Sequence, residues 1–154
     1  MQELDYEIDL EKSLGPWLGK TIKITDYYLH EAFQQYGLDI SKEQMIVLGK
    51  LNKNDGLNQN EIADLIWRDK SSIARLLAKM EKKGYIIKRQ HELDRRVNLV
   101  YLTEKGREIY WKTRPIIQKA INILEMDLNK SEINRMIEIL KRIQDNFTRE
   151  LKSL

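Results

Sequence analysis

The sequence predicts a mostly α-helical fold that contains one β-hairpin. Over most of the 154 residues, apolar side chains recur at steps of three and four, which is the period of a helix buried along one side. The period changes to two only at 85–90 and 97–102, which predicts two strands joined by a loop. We therefore expect long helices on both sides of a short hairpin.

The first two helices carry recognisable ends. An apolar stripe predicts a helix over roughly 10–36, and Gly37 supplies the left-handed residue that commonly follows a helix. Ser41 and Gln44 have the spacing of a capping box, in which the two side chains satisfy free backbone N–H groups of the first turn. A second helix should start there and end near Lys53, before a loop of turn-forming residues.

Two shorter helices are predicted next. Asn58 and Glu61 have the spacing of another capping box, and Asp69 can cap a following helix over about 70–83, which Gly84 should end. The residues of the first short helix that should face inward are Ile62, Leu65 and Ile66. The apolar stripe of the second consists of Ile73, Leu76, Leu77 and Met80. Both helices should therefore pack on one core.

Two long helices should follow the hairpin. Thr103 can cap a helix over roughly 104–127, and Pro115 should kink it because proline removes a backbone donor and clashes with the preceding turn. Asn129 and Glu132 have the spacing of a third capping box. The apolar stripe of the last helix is Ile133, Met136, Ile137, Leu140, Ile143, Phe147 and Leu151.

Charge is unevenly distributed along the chain. The net charge is only +3, but residues 68–96 hold ten Lys or Arg against four Asp or Glu, a local net charge of +6 that leaves −3 for the rest. A basic block in a mildly acidic chain is typical of a segment that binds a polyanion. A solvated charged surface is the other reading, because charged residues make up 33% of the chain.

The order of elements in this basic block is that of a winged helix-turn-helix: short helix, tight turn, second helix, two-stranded hairpin. At 100° per residue, one polar face of the second helix lies opposite its apolar stripe. This face consists of Arg68, Ser71, Ser72, Arg75, Lys79 and Lys82. Small and basic residues suit a helix that enters the major groove of DNA, which is about 12 Å wide.

Each position on this face suggests a contact. Ser71 and Ser72 lie in the first turn, where free N–H groups favour phosphate, and the guanidinium of Arg75 can bind guanine O6 and N7. Lys79 would lie nearer the phosphates, and the helix that starts at Asn58 would cross the backbone. The residues predicted to form the DNA-binding site are Asn58, Gln59, Arg68, Lys70, Ser71, Ser72, Arg75, Lys79, Asp94, Arg95 and Arg96.

The hairpin loop HELDRR, residues 91–96, places two arginines beside this helix. A wing of this kind reaches the adjacent minor groove, whose negative potential attracts Arg when the groove is narrow. Asp94 can brace one arginine within the turn and leave the other, Arg95 or Arg96, for DNA. An ordinary surface hairpin with an Asp–Arg pair is the alternative.

The composition of the chain excludes or disfavours several other classes of protein. The chain has no Cys, which excludes disulfides, Cys-ligated zinc and thiol-based redox switching. The acidic N-terminus lacks a signal-peptide pattern and no apolar run approaches a membrane span, so we expect a cytoplasmic protein. An enzyme is disfavoured because His30 and His91 are the two histidines and no phosphate-binding or nucleophile motif is present. We expect no metal and no cofactor.

The segment Ser71–Gly106 resembles the MarR family of bacterial winged-helix regulators. The family pattern consists of a recognition helix with a central Arg, Leu-x-x-x-Gly, a strand, an Asp-x-Arg wing and a closing Leu-Thr-x-x-Gly. The matching residues here are Arg75, "MEKKG" with Met80 in place of Leu, "YIIKR", Asp94 with Arg96, and "LTEKG". Ala74 departs from the pattern, since many members carry Thr or Ser there, which puts a contact from residue 74 in doubt.

The resemblance implies a homodimer whose first and last helices intertwine and hold two winged lobes apart. It divides the chain into an N-terminal dimerisation helix at 1–36, a DNA-binding lobe at 37–103 and C-terminal dimerisation helices at 104–154. The apolar stripes of the terminal helices fit this organisation, although the two helices could instead pack on each other within one chain. A two-fold dimer would read a pseudo-palindromic operator as a repressor.

The resemblance also implies release from DNA by a small aromatic or anionic effector, bound between the dimer base and the winged lobe. Candidate lining residues are Tyr27, Tyr28, His30, Met45, Trp67, Tyr110 and Trp111. Aromatic residues at helical spacing more often belong to a core.

The competing function is a winged helix used only for protein–protein contact, which would not need a serine-and-arginine helix face. RNA is disfavoured because an A-form major groove would not admit the helix.

Overall fold

A computed structural model describes residues 7–154, which divide into a compact unit up to Gln118 and a second unit, Lys119–Leu154. The helices and strands, in chain order, are α1 (Leu14–Gln35), α2 (Lys42–Lys53), β1 (Leu57–Asn58), α3 (Gln59–Leu65), α4 (Lys70–Lys82), β2 (Ile86–Gln90), β3 (Asn98–Leu102), α5 (Glu104–Leu124) and α6 (Lys130–Leu151). The fold is mostly helical with a small antiparallel sheet, so the predicted fold class is confirmed.

The sheet has three strands in the order β1-β3-β2, whereas the sequence predicted two. The predicted hairpin is present, with Gln90 opposite Asn98 where the wing loop begins and ends. The extra strand β1 pairs antiparallel with β3, where Leu57 lies opposite Val100. It spans two residues, too few for a period of two to be recognised in the sequence. β1 ties the start of α3 to the base of the wing.

The core of the first unit lies between α2, α3, α4 and the sheet. The predicted stripe of α4 is buried, with Ile73, Leu77 and Met80 fully inaccessible to solvent. Leu65 was predicted to face inward, but its side chain is 48% exposed because α3 ends at this residue and the chain turns away. Burial of the stripe directs the opposite face of α4 outward.

Capping boxes were predicted at the starts of three helices, α2, α3 and α6. The capping boxes at Ser41–Gln44 and Asn129–Glu132 are both complete. The box predicted at Asn58–Glu61 is half formed: Asn58 accepts a hydrogen bond from the backbone N–H of Glu61 at 2.9 Å. The Glu61 carboxylate instead accepts from the Asn58 amide at 2.8 Å, because β1 already holds the backbone of Asn58.

Two predicted helix ends were wrong. The first helix begins at Leu14 rather than near residue 10, since residues 9–13 form a turn in which the Ser13 hydroxyl donates to the Asp9 carbonyl. The fifth helix ends at Leu124 rather than 127, and Asp127 adopts a left-handed conformation, φ +65°, that a helix cannot continue through. α5 runs through Pro115 as one element, and the predicted kink stays a prediction.

The junction between the wing and α5 depends on Thr103. Its hydroxyl accepts a hydrogen bond from the Gly106 N–H at 2.9 Å, as predicted for a cap, and also donates to the Gly84 carbonyl at 2.6 Å. Gly106 packs directly on β2, because a Cβ at this position would lie 2.0 Å from the Tyr85 carbonyl oxygen. The ends of α4 and β3 and the start of α5 therefore meet at a single hydroxyl group.

Several helices expose large apolar side chains in the single chain. On α1 they include Trp17, Ile22 and Ile24, and on α6, which has no fully buried residue, they include Phe147 at 67% exposure. Within residues 7–154, no helix combines the length and the apolar character needed to cross a membrane.

Candidate nucleic-acid interface

The N-terminus of α4 is held by Asp69. The Asp69 carboxylate accepts hydrogen bonds from the Ser72 N–H and the Ser72 hydroxyl, both at 2.8 Å. The backbone hydrogen bond from Ser72 lowers the pKa of Asp69 below its ordinary value of 3.8, and the nearby positive charge of Arg75 adds to this. The carboxylate is therefore charged near neutral pH, which fixes the first turn of the helix.

The outward face of α4 combines cations with small side chains. Ser71, Arg75, Lys79 and Lys82 are exposed on it, as predicted, and Lys70 is exposed in the first turn of the helix. Ser72 is half-buried, and its hydroxyl is engaged with Asp69 and, at 3.5 Å, with Arg75. A bond to Ser72 and the Coulombic attraction of Asp69 thus orient the Arg75 guanidinium along the helix.

Two alanines on this face were not predicted as site residues. Ala74 and Ala78 are both exposed and lie between the polar side chains. Their small size would let the helix backbone approach a groove floor, and an alanine methyl can contact the methyl group of thymine. Helical position alone could have identified them, since both fall on the face opposite the apolar stripe.

Two other predicted site residues have structural partners, and a third is partly buried. Arg68 lies before α4 begins and pairs with Glu43 of α2, so its guanidinium is already bound in the free chain. Asn58 is the cap of α3, and Gln59 is half-buried in its first turn. Their contacts with DNA stay predictions.

The wing loop is organised by local hydrogen bonds. Asp94 accepts from the backbone N–H of Arg96 at 3.0 Å and lies 3.5 Å from the Arg96 Nε. The Nδ1 atom of His91 accepts from the Leu93 N–H at 3.1 Å. Arg95 forms no ion pair or hydrogen bond with any residue of the described chain. Of the two arginines, Arg96 is therefore the one braced by Asp94, although its side chain remains 94% exposed.

A polar contact that the sequence did not predict braces the far end of α4. The Lys83 ammonium binds Asp39 Oδ1 at 2.9 Å and the buried Gln44 Oε1 at 3.1 Å. The Tyr85 hydroxyl donates to the Asp39 carbonyl at 2.6 Å, and burial, followed by the charge of Asp39, raises the pKa of Tyr85. These contacts join the end of α4 to the start of α2 over separations of 39 to 46 residues, which no local pattern encodes.

The seven candidate effector residues do not form one enclosed site in the first unit. Tyr28, Met45 and Tyr110 are half-buried and pack against the core, while Tyr27, His30 and Trp67 are exposed. Trp111 stacks edge-on against Tyr110 at 5.5 Å between ring centroids. It also borders an open cleft along α5, lined by Glu104, Arg107, Glu108, Trp111 and Lys112. The effector role of all seven residues stays a prediction.

Residues 40–97 match the model of the MarR family. This segment is therefore similar to the helix-turn-helix lobe of that family. It runs from before α2 to the end of the wing loop, so it contains every predicted DNA-binding residue. The resemblance to this family is confirmed, and the curated relatives that the chain matches are named helix-turn-helix transcriptional regulators.

Two curated regulators and one solved structure illustrate the similarity. The chain is 29% identical to the regulator SarZ of Staphylococcus epidermidis over 131 residues, which are 84% of this chain and 82% of SarZ. It is 26% identical to the uncharacterized regulator YybA of Bacillus subtilis, over 73% of this chain and 75% of YybA. The chain superposes on S. aureus MepR in complex with DNA with a TM-score of 0.78, at 25% identity, over 86% of this chain and 97% of MepR.

Proposed function

We propose that this chain is a sequence-specific, double-stranded DNA-binding transcriptional regulator that acts as a homodimeric repressor in the cytoplasm. The observation that carries the proposal is the outward face of α4. There, Lys70, Ser71, Arg75 and Lys79 are exposed on a capped helix whose other side is fixed in the core. A rigid, basic helix face is what insertion into a major groove requires.

Each part of this face has a defined role in the proposed complex. Ser71, in the first turn, and Arg75, one turn later, reach the base edges, with Arg75 donating to guanine O6 and N7. Lys70 and Lys79 neutralise flanking phosphates. The MepR–DNA complex, similar to this chain over most of its length, supports DNA as the ligand.

The wing supplies a second contact. Arg95, which has no partner within residues 7–154, enters the adjacent minor groove, while Asp94 holds Arg96 along the side of the loop. A narrow, A·T-rich minor groove attracts arginine through its negative potential. Readout on both sides of α4 would extend the recognised half-site beyond the bases that the helix touches.

The dimer follows from the apolar side chains that the single chain exposes on α1 and on α6. Two copies of α4 would then lie in successive major grooves, about 34–36 Å apart. Such a dimer occludes a promoter with a dissociation constant on the order of 10⁻⁸ to 10⁻¹⁰ M at physiological salt. A small aromatic or anionic effector releases it, and the aromatic residues of α1 and α5 are the candidates for binding that effector.

The test is a random-duplex selection with the purified protein at two salt concentrations. We expect an enriched inverted repeat and a steep loss of affinity as salt increases, because phosphate contacts release counterions. Weak binding to every duplex, with no enriched sequence, would contradict the proposal and indicate a winged helix that contacts proteins. Sedimentation of the protein with one selected duplex gives the number of chains bound.

A further inference from the structure

The turn between α3 and α4 contains an unusual residue. Trp67 adopts φ +55°, in the left-handed region, and this conformation lets the Arg68 N–H donate to the Ala63 carbonyl at 3.0 Å. Glycine adopts such a conformation without steric cost, and Gly37, Gly56 and Gly84 do so elsewhere in this chain. A glycine at position 67 would therefore make the same turn with less strain, so the turn itself does not explain a tryptophan.

The core does not explain it either. The Trp67 side chain is 75% exposed, whereas a tryptophan that contributes to folding is normally buried over most of its surface. Its indole N–H has no hydrogen-bond partner within the described chain. Backbone strain at a large exposed aromatic residue is characteristic of a functional position, where a binding contact offsets the cost.

The position of Trp67 indicates what it contacts. It lies two residues before Asp69, the cap of α4, and thus at the end of the helix that carries Lys70 and Ser71. In a helix-turn-helix complex this end of the recognition helix enters the major groove, so the preceding turn lies at the groove edge beside the sugar–phosphate backbone. The turn also carries Arg68, whose pairing with Glu43 fixes it to α2.

We infer that Trp67 is a DNA-backbone contact: its ring packs on a deoxyribose at the edge of the major groove and its indole N–H donates to a phosphate oxygen. This inference rests on the proposed function, and it adds to the proposed DNA interface a contact from an uncharged side chain. A neutral donor and an apolar ring add affinity without releasing a counterion, unlike Lys79. This role differs from the effector contact that the sequence predicted for Trp67, which stays a prediction.

The test compares three full-length proteins on the selected duplex by fluorescence anisotropy. Trp67→Gly removes the ring and keeps the turn, so its melting temperature should be at least that of the wild type. Its affinity for DNA should nevertheless fall about tenfold, the order of effect expected when an interface loses an aromatic contact. The slope of log Kd against log salt should not change, whereas Lys79→Ala should reduce it by about 0.9.

Asp127→Gly is the matched control, because Asp127 is the other described non-glycine residue with positive φ and is not among the predicted DNA-binding residues. It should keep wild-type affinity. If Trp67→Gly binds as tightly as the wild type, the inference is wrong while the proposed function stands. If the wild type itself selects no duplex, both are wrong. Trp67→Asn, which also tolerates positive φ, must repeat the loss seen with glycine; wild-type affinity in Trp67→Asn would overturn the indole contact.

Discussion

Gly106 illustrates how one residue can be required by packing alone. A Cβ at this position would lie 2.0 Å from the Tyr85 carbonyl oxygen, which belongs to backbone and cannot rotate away. We expect Gly106→Ala to lower the free energy of unfolding by about 3 kcal/mol or more, at the upper end of the effects of overpacking. Urea unfolding monitored by circular dichroism measures this change.

Gly19→Ala is the control for this substitution. No atom lies within 4 Å of a Cβ added there, and the residue is inside α1. It should raise the free energy of unfolding by about 0.5–1 kcal/mol, since alanine is the better helix former. Equal effects of the two substitutions would argue against the close contact at Gly106.

Asp69 predicts a pH dependence. Its pKa is lowered in the folded chain by the hydrogen bonds from Ser72, so the charged form stabilises the fold. That stabilisation is fully present above the unfolded value of 3.8 and is lost as pH falls through the lower folded pKa. The difference in melting temperature between the wild type and Asp69→Ala should be constant between about pH 5 and 7 and shrink below pH 3.8. A difference that grows on acidification would contradict this cap.

At the scale of the element, the side chains of α4 make two kinds of proposed DNA contact, one to base edges and one to phosphates. Arg75→Ala should weaken binding by about 1–3 kcal/mol and relax the preference at one base pair, because it removes a bidentate base contact. Lys79→Ala should weaken binding to all sequences alike. Competition assays with operator variants measure both, and unchanged specificity in Arg75→Ala would remove Arg75 as a base reader.

The wing predicts a dependence on flanking sequence. Replacing Arg95 by Ala should reduce affinity mainly for duplexes with A·T-rich flanks, where the minor groove is narrow. Arg96→Ala should have a smaller effect, because Asp94 holds Arg96 within the loop. Equal losses on A·T-rich and G·C-rich flanks would contradict insertion into the minor groove.

Local chemistry explains how much of the lobe the sequence could predict. The caps at Ser41 and Asp69 and the stripe of α4 depend on residues within a few positions of one another, and they are present in the fold. β1 depends on pairing with Val100, more than 40 residues away, and its own two residues show no period. Sequence patterns therefore identified α4 and the wing but not β1, the strand that ties the start of α3 to the wing.

The candidate DNA-binding site also combines features that the sequence could predict with features that it could not. The outward direction of Arg75 and Lys79 follows from helical geometry, which needs only the buried stripe. The pairing of Arg68 with Glu43 joins two elements that are separate in the sequence, and the left-handed conformation of Trp67 has no sequence signal because no Gly or Asn marks the turn. Both depend on how α3 is placed against its neighbours.

At the scale of the whole molecule, the exposed apolar surface of α6 predicts a dimer. Phe147→Glu would place a charge in the proposed dimer interface, where burying it without a partner is unfavourable. We expect a shift from dimer to monomer in analytical ultracentrifugation and a loss of affinity for the inverted repeat. Asn134→Glu adds the same charge on the same helix, at an exposed position whose helical angle lies away from the predicted apolar stripe, and should leave the dimer intact. A dimeric Phe147→Glu protein would place the interface elsewhere.

The Thr103 hydroxyl bears on how such a regulator could be switched. Because it bonds both the Gly84 carbonyl and the Gly106 N–H, tilting the start of α5 against α4 would have to break one of these bonds. We therefore expect α4, the wing and the first turn of α5 to move together as one rigid body. An effector would then change the distance between the two DNA-binding lobes of a dimer and leave each lobe intact. The affinity for a duplex with a single half-site would not respond to that effector.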